Sequence, residues 1–265
     1  MANEKRPVAF VTGASMGIGY ELARELAGHQ YDLFLVARSR DLLEEHKTRF
    51  EKEFGVRVVT AAMDLSERVS WENVYQQARE EFGFVDIVVN NAGFGLCAPF
   101  GEADLATFLN MIDLNISALT ALTHHFLHDM LAAGRGKILN VASVAGFFPG
   151  PYMAVYYATK AYVVNFSLAL NYEVKSRGVL VSALCPGPTR THFGERAGLQ
   201  DSLLFTLMAS TPSAVARAAY RGLMRNRTLI VPGLLNKLSV LTARIAPRSL
   251  AMGVISWMQL KKLNS

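Results

Sequence analysis

Tyr156 and Lys160 stand four residues apart in a segment with the apolar spacing of a helix, so both side chains project from one face. An ammonium held beside a phenol favours phenolate and draws the tyrosine toward the working range of a general acid/base. Ser143 follows an apolar, strand-like run, at the carboxyl edge where open α/β sheets bind ligands, and its hydroxyl is placed to hold a substrate oxygen. Taken alone, Tyr-x-x-x-Lys is a common accident of a structural helix face. Its order after Ser143 and after a glycine-rich loop makes it informative. The adjacent Tyr157 competes for the same role, but only Tyr156 has the four-residue spacing to Lys160.

The glycine-rich loop is Thr12-Gly13-Ala14-Ser15-Met16-Gly17-Ile18-Gly19. Its glycines let the backbone turn sharply and approach a pyrophosphate, and a helix starting there offers free N–H groups and the positive end of its dipole. The spacing is GxxxGxG, not the GxGxxG of the general dinucleotide fold. Such a loop can equally be a tight strand–helix turn; after the first strand of an alternating series it reads as a cofactor loop. The second strand ends Val36-Ala37-Arg38-Ser39-Arg40, without the Asp or Glu that would hydrogen-bond an adenosine ribose and select NAD. Arg38 offers a planar fork to a 2′-phosphate, with Ser15 and Ser39 as hydroxyl donors, so the expected cofactor is NADP(H). The plainer reading of Arg38 is a solvated loop residue.

Together with Asp64-Leu65, Asn90-Asn91-Ala92-Gly93, Asn115 and Pro186-Gly187, these segments resemble the classical short-chain dehydrogenase/reductase family over about residues 7–232. The resemblance implies hydride transfer between a nicotinamide and a carbonyl or alcohol carbon, with Asn115, Ser143, Tyr156 and Lys160 as the catalytic set. In it Tyr156 is the acid/base and Ser143 polarises the carbonyl oxygen. Lys160 lowers the Tyr156 pKa and binds the nicotinamide ribose hydroxyls, while Asn115 holds a water in a proton relay through Lys160. The resemblance also implies that Asp64 contacts the adenine and that Asn91, Ala92 and Gly93 line the adenosine ribose and brace the sheet. Pro186, Gly187, Thr189 and Thr191 would meet the nicotinamide carboxamide. Gly13, Ser15, Met16, Gly17, Ile18, Gly19, Arg38, Ser39 and Leu65 complete the expected cofactor contacts.

Positioning these groups requires elements of alternating type. Apolar runs at Val8–Thr12, Asp32–Ala37, Val56–Met63, Asp86–Asn90, Lys137–Val141, Val179–Leu184 and Thr228–Val231 read as strands. Helices are expected over Gly17–Gly28, Asp41–Phe54, Ser66–Phe82, Leu105–Ala133, Val155–Arg177 and Ala214–Met224, with Ser66 at the positive end of the third. The strands are continuous apolar runs, as in strands covered by helices on both faces. This predicts an α/β fold, a doubly wound, Rossmann-like parallel sheet in a single domain with an apolar C-terminal extension. Residues 1–232 form the sheet domain, and 233–265 pack on it. The stretch from Thr191 to Leu207 is expected to cover the site as a loop, and Pro247 and Gly253 to break the tail.

Apolar residues make up 51% of the chain and charged residues 18%, which excludes a disordered protein. A net charge of +5 with scattered basic residues does not argue for nucleic acid. Cys97 and Cys185 lie far apart, so no disulfide framework is expected and both read as buried small hydrophobes. With no signal-peptide core and no apolar run approaching 18 residues, the expected location is cytoplasmic, without a spanning helix. His124 and His128 are four apart, but His-His-Phe-Leu-His lacks the Glu of the zinc-protease pattern, so no metal is assigned. The helices over Leu105–Ala133 and Val155–Arg177 are apolar beyond one stripe, which predicts a homo-oligomer.

Phe94, Phe147, Phe148, Tyr152, Phe193, Leu203 and Leu204 are the pocket candidates and point to a small hydrophobic carbonyl or alcohol substrate. The tail either packs on its own domain or another subunit, or rests on lipid headgroups as a peripheral membrane contact. Two other classes stand beside the enzyme: a non-catalytic dinucleotide-binding regulator on the same fold, and a lipid-surface-associated protein. A sensor needs no acid/base, so the intact Ser143, Tyr156 and Lys160 argue against the regulator.

Overall fold

Strand runs without polar alternation must be covered on both sides, and the chain achieves this by sending its helices to both faces of one sheet. The computed structural model describes residues 6–191, 209–243 and 247–263. In chain order the elements are β1 (Val8–Thr12), α1 (Gly17–Gly28), β2 (Asp32–Ala37), α2 (Arg40–Phe54), β3 (Val58–Ala62), α3 (Val69–Phe82), β4 (Ile87–Asn90), α4 (Leu105–Ile112) and α5 (Leu119–Ala133). There follow β5 (Gly136–Val141), α6 (Ala154–Val174), β6 (Val179–Leu184), α7 (Pro212–Met224), β7 (Leu229–Ile230), α8 (Leu234–Ala243) and α9 (Arg248–Leu263). The seven strands are parallel in the order β3-β2-β1-β4-β5-β6-β7. Strand order reverses between β1 and β4, and at that switch point a crevice opens beyond the carboxyl ends.

Alternate strand residues feed two core layers. Ala9, Val11, Leu33 and Leu35 pack against Leu22 and Leu26 of α1, Phe50 of α2 and Leu223 of α7. Phe10, Phe34, Val88 and Ile138 face the other way, toward Val74 and Phe82 of α3 and Phe126 and Met130 of α5. There Phe10 stacks on Phe34 at 5.5 Å and tilts against Phe126 at 4.7 Å, contacts worth about 0.5–1.5 kcal/mol each beyond the area buried.

Several expectations are corrected. The helix expected over Leu105–Ala133 is divided by a π-helical turn at Asp113–Ala118, which carries Asn115. The whole stretch is long and apolar enough to cross a membrane by length and composition, although it holds no continuous apolar run approaching 18 residues. Here it lies along the sheet, with Leu119, Leu122, Phe126 and Met130 buried. α3 starts at Val69, because Asp64 Oδ1 takes both the N–H and the hydroxyl of Ser66, at 2.9 and 2.8 Å, and holds Ser66 in a turn. α7 starts early because Thr211 accepts from the Ala214 N–H and Pro212 suits the first helical turn. Pro247 separates α8 from α9, but Gly253 lies within α9 and does not break it. In the tail, Asn236 and Val240 of α8, and Ile255 and Gln259 of α9, are buried among the described residues.

Candidate active site

Gly13 and Gly17 both adopt left-handed backbone, at φ +64° and +60°. A Cβ on Gly13 would stand 2.7 Å from Asn91 Nδ2, and one on Gly19 would collide with the Gly13 carbonyl and the same amide. That crowding arises because the ends of β1 and β4 are laced together. Asn91 Nδ2 donates to the carbonyls of Thr12 and Gly13 at 2.9 and 3.2 Å, and Thr12 Oγ1 accepts the N–H groups of Asn91 and Ala92, both at 2.9 Å. Met16 precedes α1 without a side-chain cap, and no acid occupies the first turn. Glycine backbone beside an uncapped helix N-terminus suits an anionic phosphate. His46 of α2, which spacing alone did not single out, holds the loop from behind: its Nε2 bonds the Ser15 carbonyl at 2.9 Å.

Beyond β2, Arg38 and Ser39 are exposed, and Arg38 Nη1 lies 3.7 Å from Asp64 Oδ2. Burial works to raise the Asp64 pKa, but the two hydrogen bonds from Ser66 and the Arg38 charge together leave it below its ordinary value. Leu65 is a core residue, packed with Val74 and Phe10. Ile18 is half-buried against the core layer under α1.

The second cluster forms where α6 passes the ends of β4 and β5. Ser143 opens a short turn after β5, where its Oγ accepts from the Ala145 N–H at 3.1 Å and hydrogen-bonds the Tyr156 hydroxyl. Gly146 lets this turn rest on α6, since a Cβ there would stand 2.6 Å from the Lys160 carbonyl. Lys160 is buried one turn beyond Tyr156, with Nζ 5.8 Å from the Tyr156 ring centre and donating to the Val141 carbonyl at 2.9 Å. Burial drives the phenol well above its ordinary 10, against the smaller lowering effect of Ser143. Burial also brings the ammonium down to about 8. The expected depression of Tyr156 by Lys160 is therefore not produced by this arrangement: desolvation dominates, and the ammonium is engaged with a carbonyl.

Asn115 is buried between these parts. Its Oδ1 accepts from the Phe94 N–H at 3.1 Å, while Nδ2 donates to the Phe94 carbonyl at 2.9 Å and to Thr159 Oγ1 at 3.1 Å. Both amide hydrogens are thus committed to joining the segment after β4 to α6. Gly93 threads between Asn115 and Lys160, where a Cβ would be 2.8 Å from Asn115 Oδ1 and 3.6 Å from Lys160 Nζ. From β6 the chain arches back toward the phosphate loop. The Pro186 carbonyl takes the Val144 N–H at 3.0 Å, Thr189 Oγ1 donates to the Gly187 carbonyl at 2.9 Å, and the Thr191 side chain lies over Gly17.

Phe94 joins Leu96, Cys97, Phe108, Met111, Met153 and Tyr157 in an apolar cluster around Tyr156. Phe148 and Tyr152 are half-buried nearby in sequence; Tyr152 has φ +63°, an uncommon conformation for an aromatic residue, and its carbonyl accepts from the Ala98 N–H at 2.8 Å. Phe147 is half-buried and packs against a different cluster, with Ala142, Val163 and Cys185. Phe193, Leu203 and Leu204 lie outside the described residues. Gln259 of α9 reaches the same wall: it takes part in a hydrogen bond with Tyr157, lies 3.6 Å from Cys97 Sγ and has Nε2 3.3 Å from Met153 Sδ. The Cys185 thiol is fully buried and pushed up to about 12, so it is inert at neutral pH. On α5, His125 pairs with Glu72 at 3.3 Å and stacks on Tyr75.

The family model for short chain dehydrogenases matches residues 7–201. Sulfoacetaldehyde reductase 2 of Chromohalobacter salexigens is 33% identical over 242 residues, which cover 90% of this chain and 95% of that protein. The structure of a short-chain dehydrogenase from Sphingobium yanoikuyae in complex with NADPH superposes with a TM-score of 0.81 at 33% identity, covering 90% of this chain and 93% of the other. The bulky-bulky ketone specific alcohol dehydrogenase from Comamonas testosteroni superposes with a TM-score of 0.78 at 28% identity, covering 91% and 92%.

Proposed function

The chain belongs to the short chain dehydrogenase family of oxidoreductases, and we propose that it interconverts a hydrophobic carbonyl compound and its alcohol with NADP(H) as cofactor. The observation that carries this reading is the Tyr156 hydroxyl held by Ser143, one helical turn from a buried Lys160, beyond the carboxyl ends of the strands that present the glycine loop. The dinucleotide supplies or accepts the hydride. The residues of this chain do the rest. In reduction, a Tyr156 whose pKa is raised by burial is protonated at neutral pH and donates its proton to the carbonyl oxygen. The Ser143 hydroxyl holds and polarises that same oxygen. The phenolate left behind is held by the Ser143 hydroxyl, whose hydrogen bond lowers the Tyr156 pKa, while Lys160, charged below about pH 8, stands ready for the ribose hydroxyls. Asn115 positions α6 against the segment after β4. A water in a relay to Lys160 would rest on its backbone carbonyl, because its amide hydrogens are committed.

The glycines at 13, 17 and 19 would cradle the pyrophosphate, and Arg38 would take the 2′-phosphate. An exposed ion pair at 3.7 Å contributes about 0–1 kcal/mol, so Arg38 can leave Asp64 for a phosphate at little cost. The NADPH complex of a relative supports the same choice. The apolar cluster of Phe94, Phe108, Met111 and Met153 packed around Tyr156 supports a hydrophobic substrate, such as the bulky ketones in the name of the Comamonas neighbour, over a charged aldehyde such as that in the name of the sulfoacetaldehyde reductase. The test is oxidation of NADPH and of NADH by purified protein with a bulky aryl ketone and with sulfoacetaldehyde. Preferred turnover of NADPH with the bulky ketone is expected. A protein that binds NADPH but turns over no carbonyl compound would be the non-catalytic regulator instead.

A further inference from the structure

α8 docks with its apolar side outward. Its buried residues are Asn236, which donates to the Pro232 carbonyl at 2.7 Å and fills the space beside Gly187, and Val240. The opposite face carries Leu234, Leu235, Leu238 and Leu241, which are 81%, 60%, 59% and 54% exposed. On α9 the same inversion recurs: Ile255 and Gln259 are buried, while Val254 and Trp257 face out. Four leucines on the solvent side of one short helix form the kind of contiguous patch that marks an interaction surface.

The charge distribution identifies the partner. The net charge of +5 resides entirely after residue 232, in Lys237, Arg244, Arg248, Lys261 and Lys262, with no Asp or Glu among them. Before that point 22 basic residues balance 22 acidic ones. A second copy of a neutral body would be indifferent to this charge, and a substrate wall would face inward. An anionic lipid surface satisfies both features, since leucine and tryptophan enter the headgroup boundary, the exposed Lys237 of α8 is free to meet the phosphates, and the basic composition of the tail favours an anionic partner. We propose that α8 and α9 dock the protein on the surface of an anionic bilayer, with the Leu234, Leu235, Leu238 and Leu241 face inserted. Such docking would bring the enzyme to hydrophobic carbonyl compounds dissolved in lipid, yet it stands independently of the catalytic reading.

The test is flotation of the full chain with phosphatidylglycerol–phosphatidylcholine vesicles and with pure phosphatidylcholine vesicles, at low and high salt. Binding to the anionic vesicles alone, weakened by salt, is expected. Replacing the four exposed leucines by serine should abolish it while leaving the thermal midpoint and NADPH affinity unchanged. Exchanging Lys237, Arg244 and Arg248 for glutamine should weaken it on the order of 100-fold. Absence of binding at low salt, or undiminished binding by the serine variant, overturns the proposal. So does a change in the serine variant's mass by light scattering without vesicle binding by the wild type, which would assign the face to a second copy of the chain.

Discussion

Tyr156 contributes to the core through its ring and to the proposed chemistry through its hydroxyl, so Tyr156→Phe separates the two. It should bind NADPH about as well as wild type while kcat falls by about 10²–10⁴-fold, the usual cost of losing a general acid/base. Near-normal turnover by the Phe variant on any accepted ketone would remove Tyr156 from the mechanism. Lys160 offers a pH signature. Burial lowers its pKa from 10.5 to about 8, so between those values the unfolded chain holds a proton that the native state has released. Native stability therefore rises with pH across that window, by about 3 kcal/mol from this group. Lys160→Met lacks the term, and its stability advantage over wild type should shrink by that amount from pH 8 to 10.5 in denaturant unfolding. Parallel curves would mean that the ammonium is solvated. The acid/base pair and the glycine loop are legible in sequence because their members are close neighbours along the chain. Thr12 with Asn91, His46 with Ser15 and Asn115 with Thr159 are not, since each pair meets only after strands far apart in sequence have been laid side by side. The pKa directions are equally hidden, because burial decides them and spacing does not report burial.

The elements follow the same rule. Strands and helices whose apolar period is unambiguous appear within a few residues of their expected bounds. The errors fall where a local interaction overrides the period: the Asp64–Ser66 turn that delays α3, and the π-helical turn that divides the long helix at Asn115. The tail was the least legible element, because its apolar residues do not say which face turns inward. The structure sets Gln259 of α9 against Cys97, Met153 and Tyr157, on the wall next to Tyr156. If α9 shapes the substrate pocket, Gln259→Ala should flatten the dependence of kcat/KM on ketone chain length. In wild type each methylene buried against this wall is worth about 0.8 kcal/mol, or roughly fourfold. Turnover of the smallest substrates should change much less. An unchanged slope in a folded variant would show that Gln259 does not shape the substrate pocket.

At the scale of the whole molecule, two groups of exposed apolar side chains stand out among the described residues, and they lie on different elements. One is the tail. The other is carried by the α4 region and α6: Leu105, Leu109 and Ile112 recur at helical spacing on the outer side of α4, with Phe100 before them and Tyr162 on α6 bonded to Thr120 of α5 at 2.9 Å. These helices also hold the site, since α6 bears Tyr156 and Lys160, and Asn115 sits between α4 and α5. A face of this kind suits an isologous contact, in which the same patch meets itself across a two-fold axis and no acidic or basic partner is required. We therefore expect a homo-oligomer assembled through α4, α5 and α6, with the subunit contact stiffening the helices that position the acid/base. Light scattering at micromolar concentration should give a multiple of the 29.1 kDa monomer mass. Leu105→Glu with Leu109→Glu should shift it to monomer, because two carboxylates per subunit would be buried against their own copies. The variant with serine at the four α8 leucines should keep the multiple. A wild-type protein of monomer mass would refute the assembly, and dissociation by the α8 variant alone would move the subunit contact to the tail and take the membrane proposal with it.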